Sequence, residues 1–154
     1  MNTSLFRYKG CALPNVYLVN GYEIISTPYG EGVKIHDLEG LHAAIGEAVV
    51  SNPAPLTGQE FRFLRQELDL SQAALGGIIG RSEQSVARWE KGSVDPAADR
   101  LMRIFYCQTK MGGKPWAPAL KFLQELESKP PEPKRLVAQE IGSTWNAMPA
   151  AKCA

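Results

Sequence analysis

Residues 64–92 read LRQELDLSQAALGGIIGRSEQSVARWEKG, and two punctuated helical segments lie inside that stretch. Ser71 is an N-cap residue ahead of a run that turns Ala74, Leu75 and Ile79 inward. That run stops at Gly80, a residue suited to the left-handed conformation that ends helices. Ser82 caps a second run, with Val86 and Trp89 on one face and Gly92 closing it. Only Gly80 and Arg81 separate the two. So short a connection forces the helices to cross steeply and leaves the second prominent at the surface. Ala73, Ala74 and Gly76 are small enough for the close approach this requires. Gly77 has no such role in the pattern, and an interior glycine costs about 1 kcal/mol relative to alanine.

Further helices flank this pair. Thr57 stands three residues before Glu60, the spacing of a capping box, and Phe61, Leu64 and Leu68 share one face of the helix it opens. Asp95-Pro96 opens a fourth helix with a capping carboxylate before proline at the first helical position; Leu101, Ile104 and Phe105 are its expected core residues. A fifth helix is expected from Pro115 to about Glu127, using Leu120, Leu123 and Leu126. Upstream, Ser51-Asn52-Pro53-Ala54-Pro55 reads as a linker, because prolines remove donors and restrict the residues before them. Before it, Val16–Val19 and Tyr22–Ile25 are β-prone runs separated by Asn20-Gly21, a type I′ hairpin signal. Val33–Ile35 is a third short strand, and Asp37 caps a helix to Val50 with Leu41, Ile45 and Val49 on one face. After Lys129, Pro130, Pro131 and Pro133 precede a stretch in which Val137, Ile141 and Trp145 recur every four residues. That spacing suits a docking helix, but the composition favours a loose tail. The expectation is a mainly α protein. A small β-hairpin and helix domain covers residues 1–50, a linker 51–56, a five-helix domain 57–127 and a Pro-containing tail 128–154.

With 44% hydrophobic and 21% charged residues in 154, the chain has the balance of a globular protein rather than a disordered one. No apolar stretch approaches the ~20 residues needed to cross a bilayer, and the N-terminus lacks the pattern of a secretory signal. A cytoplasmic location without membrane contact follows as an expectation. Net charge is +1, unevenly spread: residues 1–56 carry three basic and five acidic side chains, residues 57–121 ten and seven. The positive middle is compatible with phosphate contacts but does not establish them. Cys11, Cys107 and Cys153 are odd in number and widely spaced, which argues against a disulfide framework and against a zinc site. His36 and His42 lie near Asp37, Glu39 and Glu47. Their six-residue separation does not share a helical face, and neither H-E-x-x-H, G-x-S-x-G nor a Gly-rich phosphate loop occurs. Neither an enzyme nor a bound cofactor or metal is expected.

The stretch at 64–92 resembles the Cro/C1 (XRE) helix-turn-helix family. It shares the L-S-Q-x-x-L start at Leu70–Leu75, the glycine before the turn and the W-E-x-G close at Trp89–Gly92; Pro96 falls where the family often places proline. A narrower similarity, carried by the end of the second segment, is to the C-terminal domain of MqsA-type antitoxins. Those place a zinc-binding domain with paired cysteines before the helix-turn-helix, whereas Cys11 stands alone here. The resemblance implies a Cro/C1-type fold and double-stranded DNA as partner. It also implies that Gln72 binds a phosphate, and that Arg65 and Glu90 form an internal ion pair bracing the first helix of the domain against the third.

On the predicted reading helix, Gln84 and Arg88 stand four residues apart and away from the face of Val86 and Trp89. Glutamine can pair bidentately with adenine and arginine with guanine at major-groove edges. Glu83 can accept from cytosine or serve the helix N-terminus. Ser85 is placed to touch a base or phosphate. Ser82 lies at the same helix start, and Arg81 and Lys91 flank the helix for backbone contacts. Trp89 and Glu90 are expected to be structural. Together with this set, the resemblance implies sequence-specific regulation of transcription by a homodimer on a palindromic operator, in the sense of a repressor. The alternative is an antitoxin that binds a toxin through residues 1–50 and regulates its own operon.

Overall fold

The computed structural model describes residues 4–110, 112, 123–126 and 128–150. Two compact units divide the chain, Met1–Ala48 with Pro133–Ala154, and Val49–Glu132. In chain order the elements are β1 (Phe6–Arg7), β2 (Val16–Leu18), β3 (Tyr22–Thr27), β4 (Gly30–Ile35), α1 (Leu38–Ser51), α2 (Gly58–Glu67), α3 (Gln72–Ile79), α4 (Glu83–Lys91), α5 (Pro96–Lys110), β5 (Leu136–Ile141) and β6 (Thr144–Pro149). No helix among the described residues is long and apolar enough to cross a membrane.

The first unit holds two sheets, so the description "mainly α" gives way to a mixed α and β architecture. One sheet has the order β1-β2-β5-β6, with β2 and β5 parallel, and the other is the β3-β4 ribbon. Residues 136–149 therefore form two strands and are not part of a loose tail. Leu136, Val137 and Ala138 are all buried because β5 lies between two strands. Central strands read as continuous apolar runs rather than alternations. The four-residue recurrence at Val137, Ile141 and Trp145 that mimics a helix is interrupted by a turn at Gly142, where φ is +64°.

The Asn20-Gly21 step turns the chain, but it does not close a hairpin. β2 pairs with β1 and β5, and β3 pairs instead with β4 through the Thr27↔Gly30 turn. Asn20 shows why. Its side-chain amide accepts from Glu140 N at 2.8 Å and donates to Glu140 O at 3.1 Å, imitating the backbone of one more residue in the ladder with β5. Gly21 has φ +76° and lies against the Trp145 ring, where a side chain would collide. The ring's Nε1 donates to His36 O at 2.7 Å. The next strand therefore leaves the first sheet and begins another. Asp37 caps α1 as expected, accepting from Gly40 N at 3.0 Å, and Leu41 and Ile45 are fully buried.

In the second unit, the starts of α2, α3, α4 and α5 each recruit a side chain for N–H groups that have no partner within the helix. Thr57 and Glu60 form the reciprocal box at α2, Ser71 accepts from Ala74 N, Ser82 from Ser85 N, and Asp95 from Ala97 N. The core contains Phe61, Leu64, Leu75, Val86, Met102 and Tyr106. On α5 the buried stripe is offset from the expected one: Ile104 is buried and Phe105 half-buried, but Leu101 is exposed. The offset follows from Asp99 and Arg103, charged residues that occupy interior positions as a pair. Ala74, expected inside, is also exposed. Of the expected fifth helix, only residues 123–126 are described, and they are helical; Leu120 and Cys153 lie outside the described residues.

The stretch read as a linker is captured by that same pair. Arg103 Nη1 donates to the carbonyls of Val50 (2.8 Å) and Asn52 (2.7 Å), and Nη2 to that of Ala54 (2.8 Å). Asp99 Oδ2 accepts from Leu56 N at 2.7 Å. Prolines at 53 and 55 leave the segment rich in carbonyls and short of donors, and a guanidinium supplies donors only.

Gly76 and Gly77 have opposite reasons to be compared with alanine. A Cβ at Gly76 would come 2.6 Å from Arg81 O, in the turn between α3 and α4; at Gly77 it would meet nothing. Gly77→Ala is expected to stabilise the protein by about 0.5–1 kcal/mol and Gly76→Ala to destabilise it, as read by urea unfolding of each variant.

Candidate nucleic-acid interface

α4 is amphipathic at helical spacing, and that decides which side chains it offers. Val86 is fully buried, and Trp89 is half-buried with its ring edge-on to Phe61 (5.9 Å between centroids, 80°). Arg81, Ser82, Glu83, Gln84, Arg88 and Lys91 are exposed, and Ser85 is half-buried. Val86 thus lies inside and Gln84 and Arg88 outside, as the helical spacing predicts, while Ser85 and Trp89 lie at the boundary between the two faces. Three cationic side chains and one carboxylate occupy the exposed set, so the local field is positive.

Glu90 fixes the orientation of that face. It is 9% exposed, as is Arg65, whose Nε and Nη2 donate to its two carboxylate oxygens at 2.5 and 3.2 Å. This planar double contact sets both the distance and the rotation of α4 against α2. Arg65 Nη1 reaches further, donating to Leu70 O at 2.8 Å in the loop before α3. Gln72 Nε2 donates to Glu90 Oε2 at 2.9 Å, so three elements meet on a single carboxylate. The ion pair implied by the resemblance is present, and Gln72 joins it. An amide nitrogen carries two N–H donors, and one of Gln72's is committed here. At the same end of α4, Gly58 lies so near that a Cβ would come 2.5 Å from the carbonyl oxygens of Trp89 and Glu90.

One connection on the exposed face escaped the sequence reading. Ser82, Ser85 and Arg88 recur every three residues and are joined by hydrogen bonds, with Ser82 Oγ 3.0 Å from Ser85 Oγ and Arg88 Nη2 donating to Ser85 Oγ at 3.3 Å. The spacing was the available signal. His36 lies 3.2 Å from Glu140 and 3.4 Å from Glu23, and His42 bonds Tyr8 Oη at 2.8 Å. Among the described residues no group of three or more His, Cys, Asp or Glu could hold a metal ion.

Replacing Glu90 by alanine leaves a buried guanidinium without its carboxylate, a change that typically costs about 3–5 kcal/mol. Thermal unfolding of Glu90→Ala is expected to show a loss of that order, with Glu90→Gln intermediate because it keeps one acceptor.

Comparison with known proteins bears on this face. Residues 61–105 match the family described as Helix-turn-helix, a span that includes α3, α4 and most of α2 and α5. Over 49 residues, 32% of the chain, it is 33% identical to Repressor protein C2 of Salmonella phage P22, and the match spans 23% of that protein's length. No solved structure matches the chain at a significant level.

Proposed function

We propose that the Cro/C1-type (XRE) helix-turn-helix domain at residues 61–105 makes this chain a sequence-specific DNA-binding regulator of transcription, with α4 as its reading helix in the major groove. The observation that carries the reading is the exposed row Gln84–Arg88 on a helix whose opposite face is fixed by Val86, Trp89 and Glu90. A major groove admits one α-helix, and glutamine and arginine one turn apart address neighbouring base pairs. Arg81, Ser82 and Lys91 take phosphates at the two ends of α4, Glu83 sits beside the helix N-terminus, and Gln72 offers its remaining N–H to the backbone. The similarity to a phage repressor supports repression as the sense of regulation. A single helix-turn-helix covers little DNA, so the protein acts as a homodimer on a pseudo-palindromic operator with half-sites about one helical turn apart.

A second reading, an antitoxin that binds a toxin through its first unit, is favoured by the β3-β4 ribbon. Ile24 and Val33 oppose each other there at 61% and 42% exposure. Co-purification with a small protein encoded alongside separates the two readings.

Arg88→Ala is expected to weaken binding to an operator selected from random DNA by about 1–3 kcal/mol and to relax preference at one base pair. Gel-shift titration of operator variants measures both. Unchanged affinity and preference would remove Arg88 from the readout set.

A further inference from the structure

Among the described residues the Arg88 side chain has one hydrogen bond, to Ser85 Oγ, and no carboxylate pairs with it. A guanidinium donates and never accepts, so the Ser85 oxygen is the acceptor in that bond. Ser85 Oγ is in turn 3.0 Å from Ser82 Oγ, and Ser82 Oγ is held in place as the helix cap by Ser85 N at 3.2 Å. The guanidinium is thus tied, through two hydroxyls, to the backbone at the start of α4. An arginine has large rotamer freedom, and bidentate recognition needs its planar fork in one orientation. Fixing that orientation beforehand lowers the cost of binding.

We infer that Ser85 is a positioning residue for Arg88: the Ser82–Ser85 hydroxyl pair sets the direction of the guanidinium before DNA arrives, and Ser85 itself contacts no base. This rests on α4 being the reading helix. Ser85 is half-buried while Gln84 and Arg88 are exposed, as suits a side chain that supports its neighbour. The consequence is specific. Loss of the Ser85 hydroxyl should blur the base pair that Arg88 reads and leave the other positions alone.

The test is a double-mutant cycle on the full chain, using a duplex selected from random DNA and a second duplex changed at the base pair most sensitive to Arg88→Ala. The readout is the ratio of the two dissociation constants. Ser85→Ala is expected to lower that ratio by about 3- to 10-fold, the size of one hydrogen bond. In the Arg88→Ala background it should change the ratio less than about twofold, because coupled residues are not additive. Ser85→Thr, which keeps the oxygen, should restore discrimination, and the unfolding temperature of Ser85→Ala should match the parent's. An equal loss in both backgrounds would mean that Ser85 touches DNA itself. Full discrimination in Ser85→Ala, beside a loss in Arg88→Ala, would also overturn the inference. A parent chain that selects no sequence would instead sink the reading of α4, and the inference with it.

Discussion

The geometry of the helix-turn-helix depends on one buried carboxylate. Glu90 receives Arg65 from α2 and Gln72 from α3, while Arg65 also holds the carbonyl of Leu70. Buried ion pairs are poor guides to net stability, because desolvating two charges offsets much of their attraction. Their value here is directional. A forked guanidinium on a carboxylate tolerates little rotation, whereas the apolar contacts of Val86 or Leu75 would tolerate several arrangements of similar energy. The network therefore converts an adaptable apolar core into one orientation of α4.

Close backbone approaches complete the constraint. Gly58 lets the start of α2 lie against the last carbonyls of α4, and Gly76 lets the turn after α3 fold back onto it. Both ends of α4 are then fixed by contacts that a single methyl group would disrupt, and its outer face is left to polar residues. Arg103 does comparable work at the entry to the unit, gathering three carbonyls from a proline-rich segment that has few donors of its own.

The second unit was largely legible in the sequence because its signals are local. Thr57, Ser71, Ser82, Asp95 and Gly80 announce helix ends within three or four residues, and Val86, Trp89, Gln84 and Arg88 sort onto faces by helical period alone. What the sequence concealed is non-local. Asn20-Gly21 carries a genuine turn signal, but its neighbours in space come from residues 138–145, more than a hundred positions away. No local pattern tells a hairpin from a strand that changes sheets. The β5-β6 pair was hidden for a related reason: the buried apolar run of β5, Leu136 to Ala138, is too short to separate from a helical or irregular apolar cluster. The stripe on α5 was displaced because Asp99 and Arg103 are charged, and hydropathy patterns pass over charged residues that are buried as a pair. The hydroxyl chain from Ser82 to Arg88 was written in the spacing, yet Ser85 reads alone as another exposed contact.

Amide and arginine side-chain NMR spectra of the full chain, titrated with a selected duplex, address the central claim that α4 presents its polar face to DNA. The account predicts the largest shift changes at residues 82–91 on the outer face, including the Arg88 Nε–H, with the β3-β4 ribbon unaffected. Changes concentrated in residues 22–35, or spectra that do not respond to duplex DNA at low salt, would contradict it.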